Sequence, residues 1–170
     1  MLNKRCLLVV FVLLFQSSIV AAEMYLSQQQ FLEQTFAGDV PKAKLFWVGK
    51  DVRPKAEEIL SHRLGFLRTR YWRHMDRTAW VLEEIGKVEP ITVGIVIVKN
   101  RIESLQVLVF RESRGWEVKH DFFTRQYKGA SVTADLFLSE AIDGISGATL
   151  SVRAVTKLAR LALFFNRSNR

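Results

Sequence analysis

Two neighbouring runs of β-branched and other apolar residues constrain the fold most strongly. Ile91 to Val98 and Ile102 to Phe110 each have the length and composition of a strand. The polar pair Lys99-Asn100 between them predicts a turn, so residues 91–110 are expected to form a β-hairpin. Gly94, inside the first run, indicates a place where a backbone or a ligand approaches closely.

Further elements are predicted on both sides of the hairpin. Ser27 and Gln30 form a potential capping box for a short helix that ends at Gly38. The other predicted elements before the hairpin are a strand at Ala43–Val48, a helix at Lys55–Leu64, a strand at Phe66–Trp72 and a strand at Trp80–Ile85. We expect one α+β domain with a twisted antiparallel sheet flanked by helices.

The first 22 residues are typical of a secretory signal peptide. Lys4 and Arg5 precede an unbroken apolar run, Leu7 to Phe15, and Val20-Ala21-Ala22 is a small-residue cleavage site. The apolar run is shorter than the roughly 20 residues of a membrane-spanning helix, which disfavours the alternative of a retained anchor. The expected organisation is a signal peptide over 1–22 and one domain over 23–170, exported to the periplasm or the outer face of the cytoplasmic membrane.

Charge and cysteine content limit the classes of partner and cofactor. Removal of Lys4 and Arg5 lowers the formal net charge from +8 to +6. The remaining positive charge suits contact with anionic lipid or acidic proteins, or is only a solvated basic surface, and the expected location argues against nucleic acid. The single cysteine, Cys6, lies in the predicted signal peptide, and three separated histidines give no metal-ligand spacing. No metal site is therefore expected, and any redox chemistry needs an organic cofactor.

Five arginines between residues 63 and 77 make the densest basic stretch of the chain, with Tyr71 and Trp72 among them. They are Arg63, Arg68, Arg70, Arg73 and Arg77. The stretch is either a docking patch for an acidic partner or the solvated face of a sheet.

A turn of small residues, Ser146-Gly147-Ala148-Thr149, leads into a predicted C-terminal helix. The apolar positions of that helix share one face: Leu150, Ala154, Val155, Leu158, Leu161, Ala162 and Phe165. Free N–H groups and the positive end of the helix dipole favour a phosphate at such a place, and the Thr149 hydroxyl would lie beside it. Alternatively, Ser146 or Asp143 simply caps the helix.

Three motifs carry a family resemblance. Residues 143–149, Asp-Gly-Ile-Ser-Gly-Ala-Thr, resemble the flavinylation motif of the FMN-binding domain in the NqrC and RnfG subunits of bacterial redox pumps and in small exported flavoproteins. Residues 112–116 and 123–129 are similar to two further motifs of that family, in the same order. The chain departs from the family pattern at Tyr127, where phenylalanine is usual, and at Asn100-Arg101, where Asp-Gly is usual at the hairpin turn.

The resemblance implies a covalent cofactor. Thr149 would carry FMN through a phosphoester, installed from FAD by a flavin transferase. Ser146, Gly147 and Ala148 would keep the attachment loop narrow. Asp143 would help to hold Mg²⁺ during installation, or would only form a turn.

The same resemblance places a second group of residues near the flavin ring. Glu112, Ser113 and Gly115 would form a loop beside the isoalloxazine, with Gly115 admitting the ring closely. Trp116 would stack on the flavin or belong to the core. Gln126 would bond the polar edge of the ring or tie down a loop.

We therefore expect an exported electron carrier more than a stand-alone enzyme. Its partners would be the flavin transferase and membrane or periplasmic redox proteins, such as a flavoprotein, a quinone-linked protein or a haem protein. The sequence shows no set of acid and base residues that would converge beside a flavin. It also contains no Gly-rich nicotinamide motif. The alternatives are a non-redox accessory module with a basic docking surface and a flavin-dependent reductase of a small substrate.

Overall fold

A six-stranded antiparallel sheet organises the protein, as seen in a computed structural model that describes residues 23–169. The strand order is β1-β6-β5-β4-β3-β2. The strands are β1 Glu23–Met24, β2 Lys44–Trp47, β3 Arg68–His74, β4 Arg77–Ile85, β5 Pro90–Val98 and β6 Arg101–Phe110. The helices are α1 Gln28–Thr35, α2 Arg53–Leu60, α3 Asp121–Thr124 and α4 Thr149–Ser168. The predicted α+β class with helices flanking the sheet is confirmed.

Helices cover the sheet from both sides. The larger apolar core lies between the sheet and α2 and α4, and the smaller core lies under α1 on the other face. Residues 91–97 of β5 are all buried, because this central strand has a helix layer on each side. Its continuous apolar sequence is the pattern expected of a strand that is covered on both faces.

The predicted hairpin is confirmed, and β5 and β6 pair from Ile91 with Phe110 to Val98 with Arg101. The turn residues Lys99 and Asn100 both have positive φ, 50° and 62°. Two consecutive left-handed residues match the twist that a two-residue hairpin turn requires.

Gly94 is the contact point between β5 and α1. A Cβ atom at this position would lie 2.7 Å from two ring atoms of Phe31, whose side chain is fully buried. The close approach that the sequence predicted at Gly94 is therefore made by an aromatic side chain of α1. The capping box that starts this helix is also confirmed, with Ser27 and Gln30 bonded reciprocally.

Several predicted boundaries were wrong by two to four residues. The helix predicted over Lys55–Leu64 starts at Arg53 and ends at Leu60, because Ser61 adopts a left-handed conformation with φ 61°. The strand predicted over Phe66–Trp72 runs from Arg68 to His74. Strand β1 was not predicted, and its two residues pair with Val109 and Phe110.

The predicted signal peptide lies outside the described residues. Within residues 23–169, no helix combines the length and the apolar character needed to cross a membrane.

A buried carboxylate links the sheet to two helices. Glu84 on β4 is almost fully buried, and His62 Nε2 lies 3.0 Å from both of its oxygens. Lys157 of α4 lies 3.8 Å from the same carboxylate and donates to the Leu60 carbonyl at the end of α2. The bond of His62 to the Arg63 carbonyl, together with Glu84, outweighs desolvation and Lys157 and raises the pKa of His62.

Replacement of Gly94 by alanine should destabilise the fold by about 1–3 kcal/mol, because the new methyl group overpacks against the Phe31 ring. Denaturant unfolding measures the change. Gly65→Ala is the matched control, since a Cβ there meets nothing within 4 Å. The double variant Phe31→Leu/Gly94→Ala should lose less stability than the sum of its single changes. Additive losses would contradict a direct contact.

Stability should fall as the pH rises above the ordinary pKa of histidine, because His62 has a raised pKa in the folded state. Its contribution is complete below the unfolded-state pKa and disappears as the pH passes through the folded-state pKa. Unfolding free energies at several pH values should show this decline in the wild-type protein and a flatter profile in His62→Gln. His74→Gln, at the end of β3, should keep the decline. Identical profiles for wild type and His62→Gln would refute the assignment.

Candidate functional site

One cleft brings together three segments that are distant in sequence. It has a volume of about 570 Å³ and lies where the β4–β5 turn, the end of β6 and the start of α4 meet. Its lining residues are Lys87, Glu112, Ser113, Arg114, Gly147, Ala148, Thr149, Leu150 and Ser151. Thr149, the residue singled out by the sequence, is exposed in this cleft as the first residue of α4.

The start of α4 offers backbone donors to the cleft. A tight turn precedes the helix, with Ala148 N–H bonded to the Ile145 carbonyl and Gly147 at φ 82°. Ala148 is the N-cap, and within the described chain no side chain caps the helix. The alternative prediction that Ser146 or Asp143 caps it was therefore wrong. The first N–H groups of an α-helix have no acceptor within the helix, so they are available to a ligand.

Glu112 organises the opposite wall of the cleft. One oxygen of its carboxylate accepts hydrogen bonds from the backbone N–H groups of Lys87, Val88 (2.6 Å) and Glu89 (2.9 Å). Desolvation opposes ionisation of Glu112, but these three donors outweigh it and lower the pKa of the carboxyl. The ionised side chain thus clamps the β4–β5 turn to the end of β6, a role that the sequence analysis missed.

Gly115, in the loop that follows β6, lets this loop pack against α4. Its φ is 86°, and a Cβ atom would lie 2.5 Å from Ser151 Oγ. Both the backbone conformation and the lack of space therefore require glycine. The close approach at Gly115 is made by the first turn of α4, and Gly115 itself is not among the residues that line the cleft.

Gln126 holds the loop that precedes the turn at residues 145–148. Its side-chain Oε1 accepts a hydrogen bond of 2.7 Å from the backbone N–H of Asp143. This contact matches the alternative in which Gln126 ties down a loop. The Asp143 side chain is exposed, as is Ser146, and neither lines the cleft.

Trp116 lies on the surface rather than in the core. Its side chain is 45% exposed, so the alternative prediction of a buried core tryptophan was wrong. The ring packs edge-on against His120 at 5.3 Å between ring centroids, and Lys119 Nζ lies 5.1 Å from its centre. Stacking on a cofactor stays a prediction.

The structure gathers five of the predicted site residues around the cleft: Glu112, Ser113, Gly147, Ala148 and Thr149. Sequence reasoning missed two cations there, Lys87 and Arg114, which are both exposed. Lys87 could have been found from its place in the short connection between two predicted strands, and Arg114 from its place inside the motif at residues 112–116. Two cations, open N–H groups and a hydroxyl fit the phosphate end of a nucleotide-like ligand.

Comparison with known families gives a match at this part of the chain. Residues 86–163, slightly less than half of the chain, match the family model described as the FMN-binding domain. Comparisons with curated proteins and with solved structures gave no match. The matched range contains all the residues that line the cleft. The part of the chain that forms the cleft, residues 86–163, is therefore similar to the FMN-binding domain family.

Proposed function

We propose that this protein is an exported electron carrier that holds FMN covalently through a phosphoester to Thr149. The observation that carries the proposal is the position of the Thr149 hydroxyl. It lies at the uncapped start of a 20-residue helix, in a cleft that also contains Lys87 and Arg114. The residues present therefore fit the phosphate of FMN.

Attachment needs a donor with a phosphoanhydride bond, and FAD has that chemistry. In the proposed step the Thr149 oxygen bonds to the phosphorus of the FMN half of FAD, and the phosphoanhydride bond breaks. AMP leaves, and the hydroxyl proton is released. A flavin transferase would catalyse this step, and the exposure of Thr149 gives such an enzyme access to the hydroxyl.

After attachment, the cleft residues would hold the phosphate in place. Lys87 and Arg114 neutralise its charge, and the first-turn N–H groups of α4 can donate to its oxygens. Glu112 would act indirectly, since its carboxylate is directed to the β4–β5 turn and fixes the backbone of Lys87.

Bound flavin supplies chemistry that takes up two electrons and releases them singly. The chain would keep this group from diffusing away, which matters in a compartment where free FMN is scarce. Electrons would come from a membrane flavoprotein, a quinone-linked protein or a haem protein and would leave to a second redox protein.

Two other functions remain as alternatives. A non-redox accessory module would use the fold and its basic surface without flavin. A reductase of a small substrate would need acid and base side chains that converge on the flavin. Glu112, the carboxylate that lines the cleft, already accepts three backbone hydrogen bonds, which favours the carrier.

Co-production of the exported protein with a flavin transferase should increase its intact mass by one FMN less one water. Thr149→Val should lose the gain, because it has no hydroxyl. Thr149→Ser should keep it, and Ser146→Ala controls for loss of a neighbouring hydroxyl. Mass spectrometry and in-gel flavin fluorescence measure the outcome. No gain in the wild-type protein, with the transferase active on another substrate, would overturn the proposal.

The carrier role has its own test. Membranes of the producing cell, supplied with a respiratory substrate, should bleach the visible absorbance of the flavinylated protein and should leave free FMN oxidised. Flavinylated protein that stays oxidised under these conditions would refute the carrier function while leaving the attachment intact.

Glu112→Ala should loosen the β4–β5 turn, since three backbone N–H groups lose their common acceptor. We expect a loss of about 1 kcal/mol in unfolding free energy and faster amide exchange at Lys87, Val88 and Glu89. Glu89→Ala removes the same charge from the same turn and is the matched control. The rate of flavinylation should fall in Glu112→Ala alone. Equal exchange rates in the two variants would contradict the clamp.

A further inference from the structure

An exposed surface outside the cleft combines aromatic, aliphatic and cationic side chains. Edge strand β2 contributes Leu45 and Trp47, and their register partners on β3 are Arg70 and Arg68. Paired residues in an antiparallel sheet point to the same face, so these four side chains form one patch. We call Leu45, Trp47, Arg68 and Arg70 the β2–β3 patch.

The patch is open to solvent. Trp47 is 61% exposed and Leu45 47%, whereas large apolar side chains are usually buried. Helix α1 covers the part of this sheet face around Trp72, Ala79 and Val96 and leaves the β2–β3 patch uncovered. The tryptophan is also held in place, because the Arg68 guanidinium lies 5.2 Å from its ring centre.

The cations of the patch have no acidic partners. Among residues 23–169, no carboxylate forms an ion pair with Arg68 or Arg70. The five arginines of the basic stretch do not act together, since Arg77 pairs with Glu103 and Arg73 lies on the other face of the sheet. Tyr71 and Trp72 are buried, so Trp47 is the aromatic residue of this surface.

We propose that the β2–β3 patch docks the protein on anionic phospholipid. Tryptophan prefers the interface between lipid and water, and each nearby arginine or lysine adds attraction to anionic headgroups. Unpaired cations beside an exposed indole and a leucine supply both contributions on one surface. The proposal does not depend on flavin, because none of these residues lines the cleft.

The docked orientation follows from the alternation of side chains in the strands. Phe46 and Tyr71 alternate with the patch residues and point into the core under α2 and α4. The patch and α4 therefore lie on opposite faces of the sheet. Lipid bound to the patch leaves the start of α4 uncovered.

Sedimentation with vesicles tests the docking. The exported protein should bind phosphatidylglycerol vesicles and should not bind phosphatidylcholine vesicles, and added salt should weaken binding. Arg68→Glu/Arg70→Glu should weaken binding at least 25-fold, since one cation contributes about fivefold. Lys55→Glu/Arg153→Glu, with the same charge change on exposed positions of α2 and α4, should bind much more tightly than the patch variant.

A second measurement separates lipid contact from general charge attraction. Vesicles of brominated phosphatidylglycerol should quench tryptophan fluorescence in the wild-type protein. Trp47→Phe should remove most of this quenching, and Trp116→Phe, which also removes an exposed tryptophan, should keep it. Equal binding by the two double variants, or quenching unaffected by Trp47→Phe, would overturn the proposal. Binding to polyglutamate without binding to vesicles would also overturn it and would indicate an acidic protein partner.

Discussion

Three aromatic rings pack together where α4 crosses the sheet. The ring centroid of Phe165 lies 4.8 Å from that of Phe46 and 5.9 Å from that of Trp80, and the apolar face of the helix continues this contact along its length. A helix of 20 residues is a rod about 30 Å long, so its packing at one end fixes the position of the other end. The place of Thr149 therefore depends on burial of side chains four turns away from it.

Two sets of backbone N–H groups lie at the cleft, and among the described residues only one of them has a side-chain acceptor. Those of the β4–β5 turn are satisfied by the Glu112 carboxylate, which makes the turn a fixed wall. Those at the start of α4 have no side-chain acceptor in the described chain. A ligand anion can accept hydrogen bonds from the N–H groups at the start of α4 without competing with Glu112, because the Glu112 carboxylate already accepts bonds from the β4–β5 turn. The cleft thus keeps a positive character although a carboxylate lines it.

Local interactions explain which features could be predicted from the sequence. The capping box of Ser27 and Gln30 and the hairpin turn at Lys99-Asn100 depend on residues that are neighbours in the chain, and both were predicted. The end of α2 at Ser61 was missed, because a non-glycine residue adopts a left-handed conformation there. Strand β1 has two residues, too few for any periodicity.

The candidate site likewise contains features formed by neighbouring residues, which could be predicted, and features formed by distant residues, which could not. The turn before α4 could be identified because its residues are contiguous, and Thr149 does lie in the cleft. The bond from Asp143 N–H to Gln126 spans 17 residues, and the bonds from the β4–β5 turn to Glu112 span more than 20. Residue types and spacing in one sequence do not specify such pairs. The family resemblance marked Gln126 and Glu112 as important, but only the structure indicates that both support the backbone.

Binding of the β2–β3 patch to lipid would also affect the association of the proposed carrier with its redox partners. A protein held at a membrane surface searches two dimensions instead of three, and its orientation is restricted. The β2–β3 patch and α4, whose first residues line the cleft, lie on opposite faces of the sheet, so lipid and a redox partner need not compete for the same surface. Positive charge would have different uses at the two places: Lys87 and Arg114 would face a single phosphate, whereas Arg68 and Arg70 would face a broad anionic surface. The proposed functions would thus divide the basic net charge between the cleft and the β2–β3 patch, and a substitution at one would not alter the other.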